Sequence, residues 1–394
     1  MAIPKEALEA YRRERQRAEA RRSGRPASSD RAILKLLRKS GNYFATLLRA
    51  GGVPEQLQIP VGPELEAFLP SAESLSELDL RSSHFIIMNL IEEVSKAATY
   101  LKLPTGADFV FGAHVGSGLI ASQLPVVGEH ESIIEISNGL IVFLNCVAKW
   151  FAELLTYPEE NTVQFDPDAA ISCYLSNRSV QREWDELIEA FAVRDTVPRW
   201  RAPPTPASPI KFKVKTQLLD AMEIYVVAHE FGHHALEHGD FDPDQMSPWQ
   251  LEFDADAYAH LVSVRVGQAD EPINHFTLSG AGATLSLLSM ELVQRAKQVL
   301  RTGSDKLAPS ITHPNFETRI AAIAEMDKFL PEEFQAHHHK TRSLIVEIME
   351  RLWVEMRPQF VKLHGEGVRP KADDGGIIGH FVLGFMARET VPNA

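Results

Sequence analysis

The sequence predicts an α+β protein that is mainly helical and contains one small β-sheet. Over several long segments, apolar side chains recur every three or four positions, which is the spacing of one buried helix face. Three shorter segments are rich in β-branched and aromatic residues and are separated by glycine, proline and charged turns, as expected for a small sheet. With 394 residues and 44% hydrophobic content, the chain is long enough for one large or two modest domains.

The predicted elements follow one another in the order helix, sheet, helix. Helical spacing covers residues 33–49, 82–101, 141–155 and 182–191, and the β-rich runs are residues 108–114, 118–127 and 132–136. A segment with five prolines, residues 196–209, interrupts the pattern and is interpreted as a loop. A further helix is expected after this loop, from about residue 216.

These changes in pattern divide the chain into four predicted regions. They are a basic, flexible arm at 1–32, an N-terminal helical region at 33–104, a main domain at 105–330 that includes the Pro-rich loop at 196–209, and a C-terminal helical tail at 331–394. Residues 1–40 hold 12 basic and 5 acidic side chains, a net charge of +7, against −20 for the remainder of a chain whose total is −13. We do not expect the arm to bind nucleic acid, because Tyr11 is its one aromatic residue able to stack on bases, although the positive charge leaves such a partner open.

The composition argues against several classes of protein. No run of about 18 uninterrupted apolar residues is present, so no membrane span is expected. The two cysteines, Cys146 and Cys173, are too few for a disulfide framework or a cysteine zinc site. Because the N-terminus also lacks an apolar signal core, a cytoplasmic location is predicted. The oligomeric state is not predicted.

The segment after the Pro-rich loop carries the densest chemical signal. Met222, Val226, His229 and His233 follow steps of four, three and four, so both imidazoles lie on the apolar face of one helix. Two imidazoles at i and i+4 can converge on one metal ion, and Glu230 then lies beside the open coordination position. The pattern H-E-x-x-H also occurs by chance, but its place on an apolar helix face favours a metal site.

A catalytic zinc needs a third protein ligand, and Glu252 is the candidate. Ser247 and Pro248 predict a helix start, with an N-cap residue followed by proline in the first turn. Glu252 and Asp256 lie one turn apart on the same side of this helix. Glu252 can therefore complete the metal site, while Asp256 accepts a hydrogen bond from a ligand histidine. Gly232 is small enough for the two helices to approach closely.

Together these residues resemble the motifs of the gluzincin zinc metallopeptidases, especially the branch of the CAAX prenyl endopeptidases and HtpX-like proteases. Three motifs occur in the order found in that family: His229-Glu230-Phe231-Gly232-His233, Glu252-Phe253-Asp254-Ala255-Asp256, and Thr312-His313-Pro314 followed by Arg319. The resemblance covers roughly residues 105–330. It implies a gluzincin-like (zincin) fold with an active-site HExxH helix.

The same resemblance implies roles for individual residues. One Zn²⁺ per chain would be held by His229, His233 and Glu252, and the third motif would place His313 and Arg319 toward the substrate. The membrane-embedded members of that branch carry spanning helices, and none is predicted here. Their prenylated or membrane substrates are therefore not expected for this chain.

The predicted function is a zinc-dependent endopeptidase that hydrolyses peptide bonds of protein substrates. Zinc would lower the pKa of a water from 15.7 towards about 7, and Glu230 would take the proton and pass it to the leaving amine. His313 or Arg319 would stabilise the oxyanion, unless Arg319 instead braces Glu252 or Asp256. The β-rich run at 132–136, expected to be an edge strand, could pair with an extended peptide.

Two other functions stay open at this stage. One is a zinc-binding regulatory or interaction protein with a silent peptidase site, and the other is a hydrolase that acts on a bond other than a peptide. The presence of Glu230 argues against the first, because a purely structural site has no use for an acid beside an open position. His234, His238 and the run at 337–339 are expected to be exposed histidines and not metal ligands. The identity of the substrate is not predicted.

Overall fold

The computed structural model describes residues 6–13, 81–114, 118–126, 131–159, 162–196, 198, 208–240, 246–270, 273–307 and 314–371. The predicted helix at 33–49, most of the basic arm, most of the Pro-rich loop and the end of the chain lie outside these residues. Within them, the protein is mainly helical with a three-stranded sheet, which confirms the predicted α+β class. None of the helices in these ranges is long and apolar enough to cross a membrane.

The sheet contains strands β1 (Phe109–His114), β2 (Ala121–Pro125) and β3 (Ser132–Ser137) in the order β1-β3-β2. β3 pairs in parallel with β1, where Phe109 lies opposite Ser132, and antiparallel with β2, where Ala121 lies opposite Ile136. Every residue of β3 is buried, as is typical of a strand covered on both faces. The prediction of an edge strand at 132–136 is therefore wrong, because β3 is hydrogen-bonded along both of its edges. β2 is an edge strand instead.

The helices from residue 81 onward are numbered in chain order. They are α1 (Arg81–Leu101), α2 (Asn138–Leu154), α3 (Pro167–Ser176), α4 (Arg178–Glu189), α5 (Pro209–Ala235), α6 (Pro248–Ala269), α7 (His275–Leu278), α8 (Ala281–Thr302), α9 (Phe316–Glu325) and α10 (Glu332–Gly365). A π-helical segment, Ala190–Arg194, follows α4, and short 3-10 turns at His238–Asp240 and Met326–Phe329 follow α5 and α9. The predicted helices at 82–101, 141–155 and 182–191 correspond to α1, α2 and α4.

Helix α5 is the central element of the fold. The side chain of Ser208 caps its N-terminus by accepting a hydrogen bond from the Lys211 amide, and Pro209 occupies the first position. Residues 224–235 are all buried, and α2, α6, α8 and β2 pack against this helix. A helix half without a solvent-facing side is typical of a buried core helix. α5 begins earlier than predicted, because its cap lies within the Pro-rich segment.

Close contact between α5 and α6 depends on the small side chains predicted there. Ser247 caps α6 by accepting a hydrogen bond from the Gln250 amide, so the predicted helix start is confirmed. A Cβ atom added at Gly232 would lie 3.2 Å from the Cβ of Tyr258 and 3.3 Å from the backbone oxygen of Ala255. The two helices therefore leave no room for a side chain at this position. Their contact brings the buried side of α6 against the histidine-bearing half of α5.

Helix α10 belongs to the same hydrophobic core as the helices that precede it. Ile345, Met349, Leu352 and Phe360 are fully buried and lie in one core cluster with side chains of α5 and α8. α10 packs mainly against α8, with further contacts to α3. The predicted C-terminal tail is thus helical over residues 332–365, and this part of it contributes to the core of the main domain.

The N-terminal segment at 6–13 is a helix that packs on the sheet. Ala7 and Tyr11 are fully buried and contact Val110 and Ile133. Because Ala7 and Tyr11 are four residues apart, they lie on one face of the helix and can contact the sheet together. The sequence pattern predicted a flexible, solvated arm here. Residues 6–13 instead pack on the sheet, because Ala7 and Tyr11 provide one helical turn of apolar contact.

The docking of Tyr11 can be tested with its partner Gly112. A Cβ atom at position 112 would overlap the Tyr11 hydroxyl, so this close approach requires glycine. We expect Tyr11→Ala to lower the free energy of unfolding by roughly 3 kcal/mol, because a buried aromatic ring is lost. Gly112→Ala should destabilise the wild-type chain as well, but should have little further effect in the Tyr11→Ala background.

Urea unfolding of the single and double variants measures this coupling. Arg13→Ala, which changes an exposed side chain on the same short helix, is the control and should leave the stability unchanged. Strictly additive effects of Tyr11→Ala and Gly112→Ala would show that the tyrosine does not dock against this glycine.

Candidate metal centre

The candidate metal centre lies where α5 and α6 meet. His229 and His233 are one turn apart on α5, and their Nε2 atoms are 3.1 Å from each other. Glu252 of α6 places Oε2 at 3.7 Å from the Nε2 of His229 and Oε1 at 3.6 Å from the Nε2 of His233. One ligand atom from each of the three residues lies within 4.8 Å of the others, so this group could hold a metal ion. The structure thus brings the three predicted ligands together.

The surroundings of these residues fit a bound cation. Glu230 is fully buried, and within the described part of the chain no side chain donates a hydrogen bond to its carboxylate, which has the backbone of Gln123 as its polar neighbour. Burial, and after it the negative charge of Glu252, raises the pKa of Glu230 well above its ordinary value. Burial also raises the pKa of Glu252 to about 8, against the opposing charge of Arg319. A cation between the imidazoles and the carboxylates would offset this cost of burying two acidic groups.

Asp256 orients the first histidine of the group. It lies one turn after Glu252 on α6, and its Oδ1 is 3.0 Å from the Nδ1 of His229. Tyr225, one turn before His229 on α5, donates a hydrogen bond of 2.6 Å to the same oxygen. With Nδ1 directed to the carboxylate, the Nε2 of His229 faces the other two ligands. This is the position that the sequence predicted for Asp256.

Arg319 of α9 completes a buried ion pair beside the group. Its Nε and Nη2 atoms donate hydrogen bonds of 2.8 and 2.6 Å to the two oxygens of Asp256, and its Nη1 lies 3.3 Å from Oε2 of Glu252. Burial alone would raise the pKa of Asp256, but the charge and hydrogen bonds of Arg319, together with His229, hold that pKa well below its ordinary value. These contacts correspond to the bracing role among the two roles considered for Arg319.

Of the third motif, Pro314 and Arg319 lie among the described residues. His313 lies outside the described residues, so its predicted place beside the substrate stays a prediction. The helix after it begins at Phe316 and is capped by Asn315, whose side chain accepts a hydrogen bond from the Thr318 amide. The helix therefore begins two residues after Pro314. Arg319 therefore lies in the first turn of α9, which explains how it reaches α6.

His238 contacts the second histidine of the group, which the sequence pattern did not predict. Its Nδ1 lies 2.8 Å from the Nδ1 of His233, and its side chain is buried. Burial, and then the nearby His229, lowers the pKa of His238 to about 4. The expectation that His238 is exposed is wrong because Glu237 adopts a left-handed conformation (φ 55°) just after α5 and turns the chain back toward the site. The only feature of the sequence that could have indicated this contact is the position of His238 just beyond the end of the helix that carries His233.

Two other histidines that were expected to be exposed are also buried. The Nδ1 of His234 lies 2.7 Å from Ser132 Oγ, and its Nε2 lies 3.0 Å from the backbone oxygen of Ala107. His234 thus links α5 to β3 through one ring nitrogen and to the segment before β1 through the other. His338, in the middle of the histidine run, is buried against Asp327, whereas the neighbours of His338 in the run are exposed as predicted.

The edge strand β2 passes next to Glu230. β2 packs against α5, and the backbone of Gln123 is close enough to Glu230 to oppose the effect of burial on its pKa. In the described part of the sheet, β2 is hydrogen-bonded to β3 alone, so its other edge carries no strand. A cavity of about 390 Å³ lies close by, with His238, Leu236 and Leu251 in its wall.

Comparison with known proteins finds no match for this chain. No family model matches the chain, and neither a curated protein nor a solved structure matches it. The relation to the gluzincin peptidases therefore rests on the three motifs and stays a prediction.

His238 should influence the affinity of the site for a metal ion. Because His238 holds the ring of His233 by its Nδ1 atom, His238→Ala is expected to weaken Zn²⁺ binding by about 10 to 100-fold. Competition with a chromophoric chelator measures this affinity. His339→Ala, at an exposed position of α10, is the control and should bind the ion as the wild type does. Unchanged affinity in His238→Ala would show that His233 does not depend on this contact.

Proposed function

We propose that the protein is a zinc-dependent endopeptidase that hydrolyses peptide bonds of protein substrates. The single observation that carries this proposal is Glu230, a buried carboxylate to which no side chain among the described residues donates a hydrogen bond, next to the ligand group His229, His233 and Glu252. Two imidazoles and one carboxylate are a donor set typical of catalytic zinc, which leaves one coordination position for water or substrate. A site with a structural metal alone would have no need of Glu230.

Glu230 is suited to act as a general base. Its carboxylate is buried next to His229 on the same helix, one turn before His233, so it lies beside the position where a metal-bound water would be held. Zinc bound to the ligand group would supply a Lewis acid that polarises the scissile carbonyl and acidifies a water molecule. Glu230 would accept a proton from that water and donate it to the leaving amine, so that the peptide bond breaks without release of a free amide anion.

Asp256 and Arg319 would maintain the ligand geometry during this reaction. Asp256 fixes the ring of His229, and Arg319 holds both Asp256 and Glu252 through contacts of 2.6 to 3.3 Å. Because Arg319 uses Nε and Nη2 for Asp256, its role is to support the ligands rather than to bind the oxyanion. His313 stays the candidate donor to the oxyanion.

Strand β2 and the cavity beside His238 support a peptide as substrate. An extended peptide could add to the edge of β2 through backbone hydrogen bonds, which give affinity with little dependence on sequence. The passage of β2 next to Glu230 would place the backbone of such a peptide near the base. The cavity, lined largely by apolar side chains such as Leu236 and Leu251, could accept an apolar side chain of the peptide.

The decisive test is Glu230→Gln, which preserves the shape of the side chain but removes the proton acceptor. We expect hydrolysis of a peptide library to fall by at least roughly 100-fold while elemental analysis still finds one zinc per chain. Glu186→Gln, which changes an exposed glutamate of α4, is the control and should keep wild-type activity.

Other results would separate the alternatives. Zinc binding without hydrolysis of any peptide by the wild type would favour the regulatory protein with a silent site. Equal turnover by Glu230→Gln and the wild type would show that the base lies elsewhere. Proteome-wide labelling of new N-termini, after expression of the wild type and of Glu230→Gln, would then identify the substrates of an active enzyme.

A further inference from the structure

A second group of buried polar side chains lies behind the metal centre. His260 of α6 is one turn beyond Asp256, so it shares the helix face that carries Glu252. Its Nε2 is 3.7 Å from Oδ1 of Asp327, which lies in the 3-10 turn that directly follows α9. Each of these residues is at most 4% exposed. The two ends of α9 are thus in contact with α6, through Arg319 and Asp256 at one end and through Asp327 and His260 at the other.

Helix α10 holds the same aspartate from the opposite side. Arg342 forms an ion pair with Asp327 and donates a second hydrogen bond of 2.7 Å to the backbone oxygen of Ser279, in the turn before α8. The Nδ1 of His338 lies 3.6 Å from the Oδ1 of Asp327. Burial alone would raise the pKa of Asp327, but His260, His338 and Arg342 together lower it. The carboxylate is therefore charged and is held between α6, α10 and the turn at Ser279.

Helix α9 depends on such contacts because it has little core of its own. It is ten residues long, and only Arg319 and Ile323 of it are fully buried. Phe316 and Ile320 add partly buried contacts to the core. A helix of this length is only marginally stable in isolation. Its four buried or partly buried side chains determine the tilt of the helix only weakly. Ion pairs at its two ends would determine where Arg319 lies.

The composition of this group indicates positioning rather than stability. A buried ion pair contributes little net stability compared with apolar residues of similar volume, because desolvation of the charges is costly. Within the described residues, the Nδ1 atom of His260 also has no hydrogen-bond partner, which adds to that cost. A fold that keeps such a group gains a defined geometry from it, in this case the orientation of α9 relative to α6.

We propose that Asp327 is a positioning residue for the metal centre, which acts through α9 and Arg319 on the ligand Glu252. Arg342, His338 and His260 hold Asp327 in place, so that α10 supports the metal centre from a distance. This inference deepens the proposed function and rests on the ligand group named there. It concerns metal binding, however, and does not require that the protein hydrolyses peptides.

The experiment compares Asp327→Asn with a control of similar burial. The control is Asp195→Asn, which removes the partner of Lys297 in an ion pair whose side chains are 13% and 5% exposed and which is outside the metal centre. Zn²⁺ affinity is measured by chelator competition, and the ligand geometry by the visible absorption spectrum of the Co²⁺-loaded protein. Melting temperatures are recorded for both variants. We expect about a tenfold loss of Zn²⁺ affinity and a changed Co²⁺ spectrum for Asp327→Asn, and neither for Asp195→Asn.

A double-mutant cycle tests whether the effect passes through Arg319. In an Arg319→Ala background, Asp327→Asn should cause no further loss of Zn²⁺ affinity, because the group that it positions is absent. Additive losses would overturn the proposal. The proposal would also be overturned if Asp327→Asn left both the Co²⁺ spectrum and the Zn²⁺ affinity unchanged. Loss of a second equivalent of bound metal in Asp327→Asn would overturn it as well, because the group around Asp327 would then be a metal site itself.

A milder variant keeps the test possible if Asp327→Asn does not fold. His338→Gln removes one contact to Asp327 and leaves the Arg342 ion pair, so it should change the Co²⁺ spectrum in the same direction by a smaller amount. Failure of this inference is distinguishable from failure of the proposed function. A wild-type protein that binds zinc but cleaves no peptide would contradict the endopeptidase, while the coupling between Asp327 and Arg319 would still stand or fall on metal affinity alone.

Discussion

The structure depends on the compensation of charge where α5 and α6 meet. The second half of α5 is buried on all sides, yet it carries His229, Glu230 and His233, and α6 directs Glu252 and Asp256 against it. Removing carboxylates from water is costly unless each finds a partner of opposite charge or several hydrogen-bond donors. Arg319 is the partner of Asp256, and it also contacts Glu252. A metal ion is the partner that the donor geometry of the remaining groups fits.

Much of the architecture around this contact serves to bring the two helices close enough. Gly232 removes a side chain where α6 crosses α5, and the Ser247 cap determines where α6 begins. Tyr225 holds Asp256, which contacts His229, and His238 contacts His233 directly from beyond the end of the helix. Since a displacement of about 1 Å would break these hydrogen bonds, the packing of the helices and the chemistry of the site are not independent.

The elements that support the site are not those that dominate the core. α8 and α10 supply much of the apolar packing, whereas α9, which contributes Arg319, has only two fully buried residues. Polar contacts at both ends of α9 take the place of a hydrophobic face. This arrangement connects α10 to the candidate metal centre through Arg342 and Asp327. It also separates global stability from the geometry of the ligands, because different groups of residues determine each.

The amino-acid sequence by itself determined the residues of the ligand group and the helices that carry them. Spacing of three and four residues places His229 and His233 on one face of a helix, and the Ser247-Pro248 start places Glu252 and Asp256 on one side of the next. Such patterns are local, because the period of a helix relates residues that are close in the chain. The mainly helical α+β class followed from the same local patterns, and the structure confirmed it.

Only the tertiary structure decided which strand is an edge, which histidines are buried and what Arg319 contacts. β3 has the same local pattern as an edge strand, and the pairing of β1 and β2 on its two sides depends on residues far apart in the chain. His238 reaches His233 through one left-handed residue at Glu237, and the contact between Arg319 and Asp256 spans 63 residues. Contacts between residues distant in sequence depend on how whole helices pack, and no periodicity within one segment carries that information.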